Sequence, residues 1–235
     1  MADRKLKDRV ALIGVELEGG WAIRPPSGAE IIRDGSVKIS DDAVRALKIK
    51  SIGEIVSPPM KRELVEQWVK EHYPQIANET CGLHVHMSFK YPLHYMQLMT
   101  PKFTDAMVRA LATWSIAKGL PKEHPLCKRI LNPNHQHCAQ LYLGDNQVYS
   151  DHKDYHSRGK PHSRYTAINY CFKMHKTVEC RLLPMFAVAD EAVEAVNVVL
   201  DTTNKFLSKI RLKEPRFAAR VALKSNMRTI YRSTV

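Results

Sequence analysis

Four short stretches place pairs of polar or charged residues on strand-like backbone. They are Glu16 and Glu18 in "VALIGVELEGG", Glu54 with Ser57 just beyond it in "SIGEIVSPP", His84 and His86 in "CGLHVHMSF", and Glu179 and Arg181 in "KTVECRLLP". Side chains alternate across a pleated strand, so residues two apart share a face while their neighbours point the other way. Ala11, Ile13, Val15 and Leu17 then supply an apolar face to the first strand, and Leu83, Val85 and Met87 to another. A sheet with one apolar face and one lined by carboxylates, imidazoles and a guanidinium is suited to hold metal ions and phosphate.

The elements that must carry these residues can be read coarsely from the sequence. Strand signals cover Arg9 to Glu18, Trp21 to Arg24, Glu30 to Lys38, Lys50 to Val56 and Gly82 to Phe89, broken by "GG", "PPSG" and "DG" turn chemistry. Two more strands are expected at Arg164 to Phe172 and Lys176 to Leu183, separated by "KMH". Strands joined by such short turns pair antiparallel. Met60, Leu64, Val65, Trp68, Val69 and Tyr73 mark a helix, and a second helical region spans Leu93 to Lys118 with Pro101 interrupting it. Val193, Val196, Leu200, Phe206, Leu207 and Ile210 mark a long amphipathic helix beginning near Asp190. Helices laid on one side of an antiparallel sheet make an α+β fold.

The 235 residues, 44% of them hydrophobic, suit a single domain over 1–235 with a sizeable core. Neither a signal-peptide pattern nor an apolar run of about 18 residues is present, so a cytoplasmic protein without membrane attachment is expected. Five cysteines, an odd number with no close CxxC pair, predict reduced thiols. The polar stretch 144–163 is long for a turn and is expected to act as a lid or substrate loop.

Lys and Arg outnumber Asp and Glu by 36 to 24, a net charge of +12. From Lys205 to Arg232 there are nine basic residues and one acidic, or +8, so much of the surplus falls in a basic C-terminal helix and tail, 205–235. Arg216, Arg220, Lys224, Arg228 and Arg232 recur every fourth position and would form a stripe on a helix. Such a stripe is a solvated face, a contact between subunits of a homo-oligomer, or a surface that attracts an acidic polymer such as nucleic acid.

Taken in order, "GVELEGG", "DGSV", "EIVSPP", "CGLHVHMS", "RYTAINY" and "TVECRLLP" resemble the motif series of the amidoligase family. That family is a branch of the carboxylate-amine ligases related to glutamine synthetase and glutamate-cysteine ligase. The resemblance extends from Gly14 to Pro184 and rests on the order of the motifs rather than on any one of them. It implies a curved, mainly antiparallel sheet with helices on its outer face, a glutamine synthetase-like catalytic domain. On the concave face such a domain holds ATP, Mg²⁺ or Mn²⁺, a carboxylate substrate and an amine substrate. ATP would convert the carboxylate to an acyl phosphate, which the amine then attacks; divalent ions and cationic side chains make the crowding of anionic oxygens tolerable.

By this resemblance Glu16, Glu18, Glu54 and Glu179 match metal-binding carboxylates. His86 would ligate metal or touch the phosphates, with His84 a second contact to the nucleotide. Arg181 would neutralise the γ-phosphate during transfer, Arg164 and Asn169 would hold the substrate carboxylate or nucleotide, and Asp34 would orient the amine or accept its proton. Cys180 stands where the family pattern suggests an aromatic residue, on the face opposite Glu179 and Arg181.

Simpler readings compete. An exposed Glu pair is ordinarily solvated, Glu179 and Arg181 could form only an ion pair, and Asp34 in "DGS" is ordinary turn chemistry. Two rival functions also follow from the sequence. One is a zinc site from Cys127, His135, His137 and Cys138, weakened by its irregular spacing. The other is non-enzymatic nucleic-acid binding through the basic C-terminal segment.

Overall fold

Alternating apolar residues build the central layer of the protein. In a computed structural model, which describes residues 8–23, 25, 29–140, 165–171 and 175–209, six strands form one sheet of mixed α and β architecture. The strands are β1 (Val10–Trp21), β2 (Ile31–Ile32), β3 (Ser51–Val56), β4 (Gly82–Phe89), β5 (Ile168–Cys171) and β6 (Thr177–Pro184). Their order is β2-β3-β1-β4-β6-β5, and every pairing is antiparallel. The central strands β1 and β4 are thus contributed by segments far apart in sequence, which brings "VELE" beside "HVH".

One face of the sheet is apolar throughout. Val15, Leu17, Ile55, Val85, Met87, Val178 and Cys180 are fully buried. Burying such side chains contributes about 1.5–3 kcal/mol each relative to exposure. The helices are α1 (Asp41–Ala46), α2 (Arg62–His72), α3 (Pro92–Leu98), α4 (Pro101–Ala117), α5 (Pro125–Leu131) and α6 (Ala189–Lys209). Helix α6 packs against α4, α2, β1 and β4, burying Val193, Val196, Val199, Leu200 and Leu207. Its Thr203 hydroxyl donates to Met87 Sδ, 3.3 Å away, so this helix lies on the apolar face.

Several expectations change on contact with the fold. The "GG" at Gly19 and Gly20 is no turn: β1 runs straight through to Trp21. The strand expected over Glu30 to Lys38 is reduced to Ile31 and Ile32, because Asp34 caps a turn at 35–36 with bonds from the Ser36 amide and hydroxyl. Pro101 does not interrupt one helix but starts another, as its first helical residue, with Thr100 as N-cap accepting from the Phe103 amide. The short helices α1 and α5 are additional to those expected. Residues 144–163, residue 164 and the tail beyond 209 lie outside the described residues.

Arg129 on α5 ties the sheet from one end. Its guanidinium, 2% exposed, donates to the carbonyls of Leu183 (2.7 Å), Cys81 (3.0 Å) and Arg181 (3.4 Å). Among the described residues no carboxylate lies within ion-pair distance of it.

Candidate functional site

The second face of the sheet carries the charged pairs, and the strand register brings them together. Glu18 pairs with Glu54, Glu16 with His84, His86 with Glu179, and Glu179 with Asn169. Cross-strand partners share a face, so one continuous polar surface crosses β3, β1, β4, β6 and β5. Ser57 does not join it: its hydroxyl accepts from the Val15 amide at 2.9 Å and donates to the Pro58 carbonyl, holding the chain against β1.

Two groups of potential ligands sit side by side on this surface. In one, Glu16, His86 and Glu179 bring donor atoms within 4.8 Å of one another; in the other, Glu18, Asp34 and Glu54 do the same. His86 Nε2 lies 2.9 Å from Glu16 Oε1 and 3.9 Å from Glu179 Oε1, yet makes no aligned hydrogen bond, while its Nδ1 is held by the Thr177 hydroxyl at 3.0 Å. His86 is only 9% exposed. With its Nε2 unprotonated, this buried imidazole would offer a lone pair to an ion alongside the two carboxylates.

Glu179 is held at both oxygens. Arg181 Nη1 donates to Oε1 at 2.5 Å; Asn169 Nδ2 donates to Oε2 at 2.9 Å, and the Cys171 thiol lies 3.6 Å from the same oxygen. Asn169 therefore orients Glu179 directly. Cys171 was not legible as part of the site; its place two residues beyond Asn169 on β5 is the one signal for it. Arg181 itself is 8% exposed, and its Nε has no hydrogen-bond partner among the described residues.

The electrostatics of the two groups differ. Burial opposes ionisation of Glu16, but hydrogen-bond and charge interactions with His84 and His86 outweigh it and hold the carboxyl well below its usual range. Burial likewise opposes ionisation of Glu179, and the Arg181, His86 and His84 charges overcome it, so this carboxyl is also lowered. Burial would lower His86, but Glu16 and Glu179 raise it. Glu54 goes the other way: burial, then the charges of Glu16, Asp34 and Glu18, push it up to about 7.

Of the residues singled out by sequence, Glu16, Glu18, Asp34, Glu54, His84, His86, Asn169, Glu179 and Arg181 meet on this one surface. Arg164 lies outside the described residues. The cysteine and histidine set proposed for zinc forms no three-ligand group among the described residues, although the His135 Nδ1 and Cys138 Sγ atoms are 3.5 Å apart. No helix among those residues is long and apolar enough to cross a membrane. Compared with known proteins, the chain matches no family model, no curated protein and no solved structure.

Proposed function

We propose that this chain is an ATP-dependent carbon-nitrogen ligase of the glutamine synthetase-like kind. It would join a carboxylate to an amine through an acyl phosphate, with two divalent cations on the polar face of the sheet. The supporting observation is the pair of adjoining ligand groups, Glu16, His86, Glu179 and Glu18, Asp34, Glu54, with Arg181 beside them.

The residues fit Mg²⁺ or Mn²⁺. Carboxylate oxygens dominate both sets, as hard divalent ions prefer, and the single imidazole is compatible with Mn²⁺. The three crowded carboxylates around Glu54 are what a cation would relieve. When bound, such ions neutralise the phosphate oxygens of ATP and of the acyl phosphate.

In this reading the substrate carboxylate attacks the γ-phosphorus, ADP leaves, and the amine displaces inorganic phosphate from the acyl carbon. Arg181 meets the transferred phosphoryl group, a task suited to a guanidinium whose charge is permanent and whose donors form a planar fork. Asn169 keeps Glu179 in place through its amide. Asp34, fixed by the Ser36 amide and hydroxyl, would orient the amine beside the second cation. Arg164 contributes to holding the carboxylate or nucleotide. The alternative of nucleic-acid binding depends on residues 205–235, of which 205–209 are described.

A screen for ADP release in the presence of Mg²⁺, against pooled amino acids, peptides, polyamines and nucleic acids, tests the assignment. Release that requires both an acid and an amine is expected. ADP release with none of the pools, together with no uptake of Mn²⁺, sinks it.

A further inference from the structure

His84 touches carboxylates from both ligand groups. Its Nδ1 lies 3.0 Å from Glu16 Oε2 and 3.6 Å from Glu179 Oε1, while Nε2 lies 3.8 Å from Glu18 Oε1. Arg181 Nη1 approaches the same Nδ1 at 3.4 Å, and the His84 side chain is 5% exposed. Its ring therefore stands between Glu16 and Glu18, whose Cα atoms are about 7 Å apart on an extended strand.

Gly82 makes room for that ring. A Cβ on Gly82 would fall 2.5 Å from His84 Nε2 and 3.2 Å from Glu18 Oε2, and the Gly82 amide donates to Glu18 Oε2. Gly82, His84 and Glu18 thus interlock: the missing side chain on one is the space occupied by the other two. The two histidines of β4 also differ. His86 faces only carboxylates of the first group, through Nε2, and is held at Nδ1 by Thr177, whereas the two ring nitrogens of His84 face carboxylates of both groups.

We infer that His84 is a positioning residue that fixes the spacing between Glu16 and Glu18, and so between the two cations, and that Gly82 is the seat its ring requires. This rests on the two-cation reading above. Neither residue needs to touch an ion for the effect, because partners of metal-binding side chains orient the ligands and set affinity indirectly.

Titration of the full chain with Mn²⁺ alone, followed by electron paramagnetic resonance, tests the assignment. The wild type is expected to bind two ions with coupled spins. His84→Ser and Gly82→Ala should each still bind two ions, about ten- to a hundredfold more weakly, with the coupling reduced. The double variant should be no weaker than the poorer single one, because both changes displace the same ring. Melting curves close to wild type would separate misplacement from unfolding. Should Gly82→Ala not fold, His84→Asn, which retains an amide near the position of Nδ1, should regain affinity over His84→Ser; no recovery overturns the inference. So does outright loss of one ion in His84→Ser with wild-type binding in Gly82→Ala, which would make His84 a ligand. Wild-type binding in both variants also overturns it while leaving the two-cation reading standing. A wild type that binds no Mn²⁺ ends that reading, and this one with it.

Discussion

The two groups of potential ligands are neighbours on one sheet face but are built on opposite electrostatic plans. Glu16 and Glu179 are surrounded by His84, His86 and Arg181, and both carboxyls stay ionised although buried. Glu54 has mainly other carboxylates around it and is pushed up to about 7 by burial and by the charges of Glu16, Asp34 and Glu18. The first group carries its compensation within the protein; in the proposed site the second would gain most from a cation arriving from solution. Exchangeable ion binding should therefore be controlled by the Glu18, Asp34, Glu54 side, and structural integrity by the Glu16, His86, Glu179 side.

The largest effect that would sharpen this contrast is on catalysis. Glu54→Gln and Arg181→Ala should each lower ATP turnover by a factor on the order of 100 or more, measured as ADP release; wild-type rates in either would count against the site. The next effect divides the two variants. Arg181→Ala leaves Glu179 buried without its main counter-charge and should lose on the order of 3 kcal/mol in denaturant unfolding, whereas Glu54→Gln removes a repulsive charge and should not destabilise. Equal losses in both would erase the difference between the groups.

The pH dependence gives two subtler checks. Cation binding must displace the proton that Glu54 holds below about 7. Mn²⁺ affinity should therefore rise as pH increases through that range, with a shallower rise in Glu54→Gln; calorimetry in buffers of different ionisation enthalpy would count the protons released. The smallest effect concerns the cation-free chain. Because Glu54 is raised in the folded state, its contribution to stability is full below about 4.5 and is lost as pH rises through about 7. Glu16 and Glu179 are lowered, so theirs is present above the ordinary carboxylate range and is lost only as pH falls through their depressed values. Melting temperature against pH should show a decline towards alkaline pH that Glu54→Gln flattens. A decline that is unchanged in this variant would remove Glu54 as its source.

Much of the site was legible because its signal is periodic. Glu16 with Glu18, His84 with His86, and Glu179 with Arg181 each share a face by alternation alone, and the register then joins them across β1, β4 and β6. The sheet order was not legible, since nothing local specifies that β1 lies between β3 and β4. Gly19 and Gly20 misled for a physical reason. A Cβ on Gly19 would lie 2.6 Å from Pro74 Cβ and one on Gly20 2.9 Å from Ile76 Cγ2, so these glycines admit a crossing segment rather than a turn. Ser57, grouped with Glu54 in the sequence, stands apart from the polar face, because its partners are the main-chain groups of Val15 and Pro58. Cys171 carries only its spacing of two from Asn169, and it is the β5-β6 pairing that brings it to Glu179.

The interior guanidinium of Arg129 has an evolutionary consequence. Its donors reach three carbonyls near the ends of β4 and β6, and no carboxylate among the described residues lies within ion-pair distance. Lysine, with a compact ammonium that sheds its proton readily when desolvated, would reproduce neither the fork nor the permanence of the charge. The position thus offers few stepwise routes of change: drift at residue 129 would have to be accompanied by rebuilding of the strand ends it clasps.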